Sequence, residues 1–259
     1  MKRICVVLAA ILLTFLMADA RTVKKVYDID DFTGIRATNA FEVVLEHSKD
    51  FKVEIEISEE FLPFLLVKNR GGVLELSFTR LPFRLKQKNR NKVVQAYISM
   101  PELTYIELSG ASQLISNDQF SNAMEKFSIN LKGGSSINNL NLKTPEVVIK
   151  LAGASKAIIS LRSSDVDAEL GGASRLELTG ESTEFDLKVA GASRVLASDF
   201  DAEDVQVDAK GASNVEVRAS SSLSVELAGA SKCRYYGSDE NLKVRADNIK
   251  GASTLKHEK

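Results

Sequence analysis

Tryptophan is absent from the 259-residue sequence, and there are only two histidines, two cysteines and four prolines. His47 and His257 stand far apart, and neither H-x-x-x-H nor C-x-x-C spacing occurs, so no metal site is expected. A nucleophile that relies on a histidine base is equally poorly supplied. No cofactor-binding pattern is present, and none is expected. Basic and acidic residues balance at 34 and 35, for a net charge of -1. A chain without net positive charge lacks the global field that draws a protein to nucleic acid, so no nucleic-acid partner is expected.

Long apolar runs are missing too, apart from one at the start. Lys2 and Arg3 precede an apolar run from Ile4 to Met17, and Ala18-Asp19-Ala20 follows the small-x-small cleavage rule. We read residues 1–20 as a secretory signal peptide removed after Ala20, with a retained N-terminal anchor as the alternative. Cys5 opens the run instead of following a small-residue site, unlike an acylated lipoprotein cysteine. The mature chain would then have no transmembrane segment and a single cysteine, Cys233, so no intramolecular disulfide. Its stability has to come from packing and from backbone hydrogen bonds.

What the chain does have is a repeat. SGAS at 109–112 recurs as AGAS at 152–155, GGAS at 171–174, AGAS at 190–193, KGAS at 210–213, AGAS at 228–231 and KGAS at 250–253. A variant, KGGSS at 132–136, fills the gap. The leading glycines are Gly110, Gly133, Gly153, Gly172, Gly191, Gly211, Gly229 and Gly251, with spacings of 18 to 23. Such a period belongs to solenoids and related arrays. Two residues before each glycine stand Leu108, Leu131, Leu151, Leu170, Val189, Ala209, Leu227 and Ile249. Four before it stand Ile106, Ile129, Ile149, Ala168, Leu187, Val207 and Val225, with Asp247 breaking the column. Four after it stand Leu114, Ile137, Ala157, Leu176, Val195, Val215, Cys233 and Leu255. Polar residues alternate with these positions, so each repeat reads as two short strands with one face buried.

The repeat also decides what the serines are. Ser112, Ser135, Ser155, Ser174, Ser193, Ser213, Ser231 and Ser253 occupy equivalent places. Catalysis needs one activated hydroxyl and one base, not eight copies of the hydroxyl. A phosphate-binding loop would need a following helix, and none is visible. The tripeptide therefore marks a corner: glycine permits a backbone shape closed to other residues, and serine can bond to local backbone.

An antiparallel meander with hairpin turns would accommodate the repeat, but it would not place like residues over like. A coil does, with each column stacked at about 4.8 Å. The expected fold is all-β: a right-handed, parallel β-helix-like solenoid, its hand taken from the crossover rule. Residues 106–255 form the GAS-repeat solenoid. Residues 21–105, with FEVVLE at 41–46, KVEIEIS at 52–58, VLELSF at 73–78 and VVQAYIS at 93–99, form irregular first rungs or a cap. Asn69-Arg70-Gly71-Gly72 supplies a turn, and FLPFLLV at 61–67 a short helix or buried connection. No linker separates the two parts, so one domain is expected.

FTGIRATNAFEVVLE, then GGVLELSF, then MPELTYIELSGAS followed by serial GAS corners resembles the auto-transporter adhesin family with the head GIN domain. The resemblance spans about residues 31–255. It implies a secreted or envelope protein of bacteria such as Bacteroidetes, with an all-β, β-helix-like fold. It carries over no ligand and no catalytic residue. The repeats run almost to LKHEK at the end of the sequence, leaving no room there for the ten-residue strands of a membrane barrel. Export to the surface would then use other machinery, with the periplasm as the other destination.

One local charge feature stands out. Arg80, Arg84, Lys86, Lys88, Arg90 and Lys92 lie in RLPFRLKQKNRNK without an intervening acid. An anionic glycan, a lipid headgroup or an acidic protein surface would suit them; so would a solvated loop. A second candidate is the column three after each corner glycine, Lys156, Arg175, Arg194, Asn214 and Lys232, which stacking would place on one edge with Glu177 and Glu216 as offsets. Cys233, in an apolar column, reads as a buried small hydrophobe. The functional expectation is a non-catalytic envelope protein, binding or structural, whose partner is an envelope glycan or protein surface. The alternative is a β-helix enzyme acting on acidic polysaccharide. Spacings of 18 to 20 leave that enzyme little room for cleft-forming insertions, and Asp165, Asp167, Asp186 and Asp208 are scattered in sequence.

Overall fold

The computed structural model describes residues 21–88, 94–122, 126–238 and 242–258, so the proposed signal peptide lies outside the described residues. The chain winds into a β-solenoid of about 7 turns. Its first face stacks β8 (Tyr105–Ser109), β11 (Lys126–Leu131), β13 (Glu146–Leu151) and β15 (Asp165–Leu170) in parallel. The stack continues through the second halves of β16 (Arg175–Val189), β17 (Arg194–Ala209) and β18 (Asn214–Leu227), and ends on β20 (Lys243–Ile249). The second face stacks β9 (Gln113–Ile115), β12 (Ser136–Lys143), β14 (Lys156–Arg162), the first halves of β16 to β18, β19 (Lys232–Tyr236) and β21 (Thr254–Glu258). Register shifts at Ile137/Leu140, Glu177/Thr179 and Ala197/Asp201 bend these strands, as bulges do, and their far ends form a short third face joined by β10 (Gln119–Ser121).

Like residues do stack on like. Leu108, Leu131, Leu151, Leu170, Val189, Ala209 and Leu227 follow one another in register, and all are buried. Cys233 is 1% exposed between Val215 and Leu255. One column differs from its sequence reading. Asp247 does not break the apolar column, because a register shift between Val225 and Leu227 sets Ala246 opposite Val225. Asn248, at φ 57, takes up the one extra residue.

At the corner between the first and second faces the GAS tripeptides form a ladder of their own. Ala173 N–H donates to the Gly153 carbonyl at 2.7 Å, Ala192 to Gly172 at 2.7 Å and Ala230 to Gly211 at 2.7 Å. From Ser112 to Ser231 each corner serine hydroxyl closes its own corner by donating to the carbonyl three residues back, as Ser174 does to Gly171 at 2.8 Å and Ser193 to Ala190 at 2.9 Å. The same Ser193 oxygen accepts from the Ser174 N–H at 3.4 Å, so a hydroxyl 1% exposed serves two rungs. Gly172 has φ +82, and a Cβ there would lie 2.6 Å from the Gly153 oxygen. Glycine is needed both for the left-handed backbone and for the close approach.

The N-terminal part is a cap with a spatial order unlike its chain order. β2 (Gly34–Thr38) and β3 (Glu42–His47) form the rung under β8 and β9. Beneath them lie β6 (Val73–Phe78) and β7 (Val94–Met100), which come later in the chain. β5 (Leu65–Arg70) closes the edge of β6, while β4 (Lys52–Ser58) and then β1 (Thr22–Tyr27) close that of β7, all antiparallel. Gly71 and Gly72, at φ 60 and 78, make the β5–β6 turn. The apolar run at 61–67 begins in the 3-10 helix Glu59–Phe64, whose Phe61 is buried 6.3 Å from the Phe78 ring, and continues into β5. An unrecognised corner precedes the repeats: Asn39 and Ala40, at φ 71 and 62, lie under Gly110 and Ala111, at φ 63 and 68.

Candidate binding surfaces

The basic segment lies on the cap. Arg80 follows β6, and a short helix, α1 (Phe83–Lys88), carries Arg84, Lys86 and Lys88. Arg80 and Arg84 are exposed. The side chains of Lys86 and Lys88, and all of Arg90 and Lys92, lie outside what the structure describes. Leu81 and Leu85 pack against the core and anchor the segment, while Phe83 is 74% exposed. In the sequence this stretch is marked by its charge alone, since a single aromatic ring among the cations gives no periodic signal.

The column Lys156, Arg175, Arg194, Asn214 and Lys232 does stack in register along the second face. Glu177 lies 3.4 Å from Lys156 and 2.8 Å from Arg175, neutralising that end. Glu216 instead pairs with Arg234 at 2.9 Å, outside the column. Carboxylates that are scattered in sequence gather on the first face: Glu146, Asp165, Glu184 and Asp204 stand in register, with Asp167 opposite Asp186 beside them. Burial, then the charges of Asp167, Glu184 and Glu146, push the Asp165 carboxyl above its ordinary range. Asp208 lies apart, paired with Lys210 at 2.7 Å. Among the described residues, no group of three His, Cys, Asp or Glu side chains is placed to hold a metal ion.

A polar clamp joins the cap to the solenoid. Arg36 on β2 reaches Glu75 on β6 at 2.8 Å and Glu107 on β8 at 2.7 Å, and Tyr105 donates to Glu107 at 2.7 Å. Burial alone would raise the Glu107 carboxyl, but hydrogen bonds from Tyr105, Arg36 and Lys132 outweigh it and hold the pKa at about 2.

A second corner, between the third and first faces, was not seen in the sequence. It is built from Thr144-Pro145-Glu146, Ser163-Ser164-Asp165, Ser182-Thr183-Glu184, Ala202-Glu203-Asp204 and Ser220-Ser221-Ser222. In the first three copies a hydroxyl residue (Thr144, Ser163, Ser182) stands two before an acid, while Ala202 and Ser222 depart from that pattern. No helix of the described residues is long and apolar enough to cross a membrane.

Comparison with known proteins places this geometry. The model of the family described as "Putative auto-transporter adhesin, head GIN domain" matches residues 31–238. No curated protein matches the chain. Among solved structures, a "putative lipid binding protein" from Parabacteroides distasonis superposes with a TM-score of 0.82 at 17% identity, over 93% of this chain and 98% of that one. A "putative adhesin" from Parabacteroides merdae gives 0.81 at 17%, with the same coverage. Another from Bacteroides fragilis gives 0.62 at 16%, over 92% of this chain and 97% of its own.

Proposed function

This chain belongs to the "putative auto-transporter adhesin, head GIN domain" family, and on that premise we propose that it is a non-catalytic binding protein of the cell envelope. In this reading residues 1–20 direct export, and the segment 80–92 meets an anionic envelope surface. The observation that carries it is Phe83, 74% exposed beside Arg80 and Arg84, on a segment fastened to the core by Leu81 and Leu85. An exposed ring among cations suits an interface that is apolar within and negative at its surface. Neighbours of the same fold are described as adhesin or lipid binding, and both are binding roles.

Vesicle sedimentation tests the proposal. The wild-type chain should bind vesicles containing anionic lipid and not purely zwitterionic ones, with binding weakened by salt. Each Lys or Arg near such a surface contributes about 1 kcal/mol, so exchanging Arg80, Arg84, Lys86, Lys88, Arg90 and Lys92 for Gln should abolish sedimentation. Phe83→Ala should weaken it. Retention by the six-fold variant equal to wild type would refute the contact. Turnover of an acidic polysaccharide by the purified protein would replace the reading with an enzymatic one.

A further inference from the structure

We propose that the corner between the third and first faces is a binding groove for a neutral oligosaccharide. It is a separate site from the basic segment and does not depend on it. The groove encloses about 770 Å³ and runs along the coil from Ser121 and Asn122 to Ser220, crossing six successive rungs.

The lining chemistry selects the ligand class. Among the described residues Pro145 is the only apolar residue lining it, and the carbon surface otherwise belongs to the methyls and stems of polar residues, so a lipid tail would find no large apolar side chain to pack against. The backbone at this corner is already committed from rung to rung: Thr144 N–H donates to Arg162 O at 3.1 Å, Ser163 to Glu181 O at 3.1 Å and Thr183 to Ser164 O at 3.1 Å. A peptide therefore finds no free edge here to extend as a strand. Lys143 and Arg162 lie toward one end and Glu181, Asp201 and Glu203 toward the other, with Arg162 and Glu181 paired at 3.1 Å. Asp201 is likewise paired with Arg218 at 3.3 Å, so Lys143 and Glu203 are the unpaired charges among the described residues, and the groove offers a polyanion no net attraction.

What remains are short groups able to donate and accept. The side chains of Lys143, Ser164, Thr183 and Glu203 are exposed, and none has a partner among the described residues. They lie on successive rungs, about 4.8 Å apart along the coil axis. Vicinal hydroxyls of a sugar chain lying along the axis could exchange hydrogen bonds with each in turn. A hydroxyl donates to Glu203 and accepts from Lys143, and the two serine-type hydroxyls do either.

The test is binding of the purified chain to neutral gluco-, manno- and xylo-hexasaccharides, with hexagalacturonate as the acidic counterpart, by array and then calorimetry. At least one neutral hexasaccharide should bind. The exposed double substitution Ser164→Ala/Thr183→Ala should weaken it by about tenfold, from two lost hydrogen bonds, with the thermal midpoint unchanged. Arg80→Gln/Arg84→Gln should leave sugar binding intact. Binding of no neutral sugar, preference for hexagalacturonate, or affinity unmoved by the groove substitutions would each overturn the proposal. Sugar binding lost with Arg80→Gln/Arg84→Gln would overturn it too, by moving the site to the cap. Vesicle sedimentation is read separately, so the two proposals fail independently.

Discussion

Gly171 and Gly172 are neighbours, and alanine at each should behave very differently. At Gly172 the new side chain must adopt φ +82, in the left-handed region that costs an L-residue about 1–2 kcal/mol. Its Cβ would lie 2.6 Å from the Gly153 oxygen and 3.1 Å from the Gly153 nitrogen. That oxygen accepts the Ala173 N–H at 2.7 Å, so it cannot retreat without stretching a ladder bond worth about 0.5–1.5 kcal/mol. Overpacking adds about 1–3 kcal/mol, because backbone rather than a flexible side chain must move. Gly172→Ala should thus cost about 3–6 kcal/mol, a large part of the 5–15 kcal/mol typical of a whole domain. At Gly171 nothing lies within 4 Å of the added atom, and φ is not in the left-handed region. Gly171→Ala should be neutral or stabilise by up to about 1 kcal/mol. At about 2–4 °C per kcal/mol, thermal melts followed by circular dichroism should separate the two variants by roughly 6–24 °C. Midpoints within 2 °C of each other would refute the crowding argument. Gly133→Ala is a useful intermediate, since its added carbon would come no closer than 3.4 Å to its neighbour.

Acid should weaken the clamp through Glu107. Its folded pKa is lowered from 4.5 to about 2, so its contribution is complete above the ordinary value and fades as pH falls toward 2. Urea midpoints measured from pH 5 to pH 2 should fall less steeply in Glu107→Gln, and an unchanged slope would contradict this. Burial pushes the Cys233 thiol up to about 12, so Ellman's reagent at pH 8 should leave the native chain from Arg21 unlabelled and label one thiol after denaturation. Native labelling at the unfolded rate would show the column to be open. Ser182 Oγ is buried without a partner, and the next rung has Ala202 in register with it. Ser182→Ala should therefore stabilise by about 1 kcal/mol in urea titrations, whereas a loss would reveal a hidden hydrogen bond.

Features that recur every twenty residues were legible in the sequence because stacking makes them recur. A leucine over a leucine and a glycine over a glycine cost the same at each turn, so the apolar columns and the GAS corner could be read together with the parallel coil. Features that occur once could not. Asn39 replaces the corner glycine because asparagine tolerates the left-handed region, and that exchange hid the first corner. The bulge at Asp247 and Asn248 looked like a broken column because the sequence does not mark which residue is extruded. The hydroxyl corner recurs, but with Ser, Thr or Ala at the first place, so it lacked an invariant letter. Arg80 and Arg84 were found by charge, whereas Phe83 needed exposure to be noticed.

The interleaving of the cap has a consequence for how the molecule is built. Both rungs that flank β2 and β3 come later in the chain, so nothing can satisfy that pair on either side until residues 73–115 have followed. The first stage of assembly therefore joins residues 39 to 71 apart, against about twenty for each later winding, and each such closure costs up to about 1 kcal/mol more. From β11 onward each new winding pairs with the one directly before it in the chain, so every later closure is local and short. A chain released at its N-terminus first would wait at the cap and then finish in order, so damage to the cap would stall everything after it, while damage near β20 would leave the earlier windings standing.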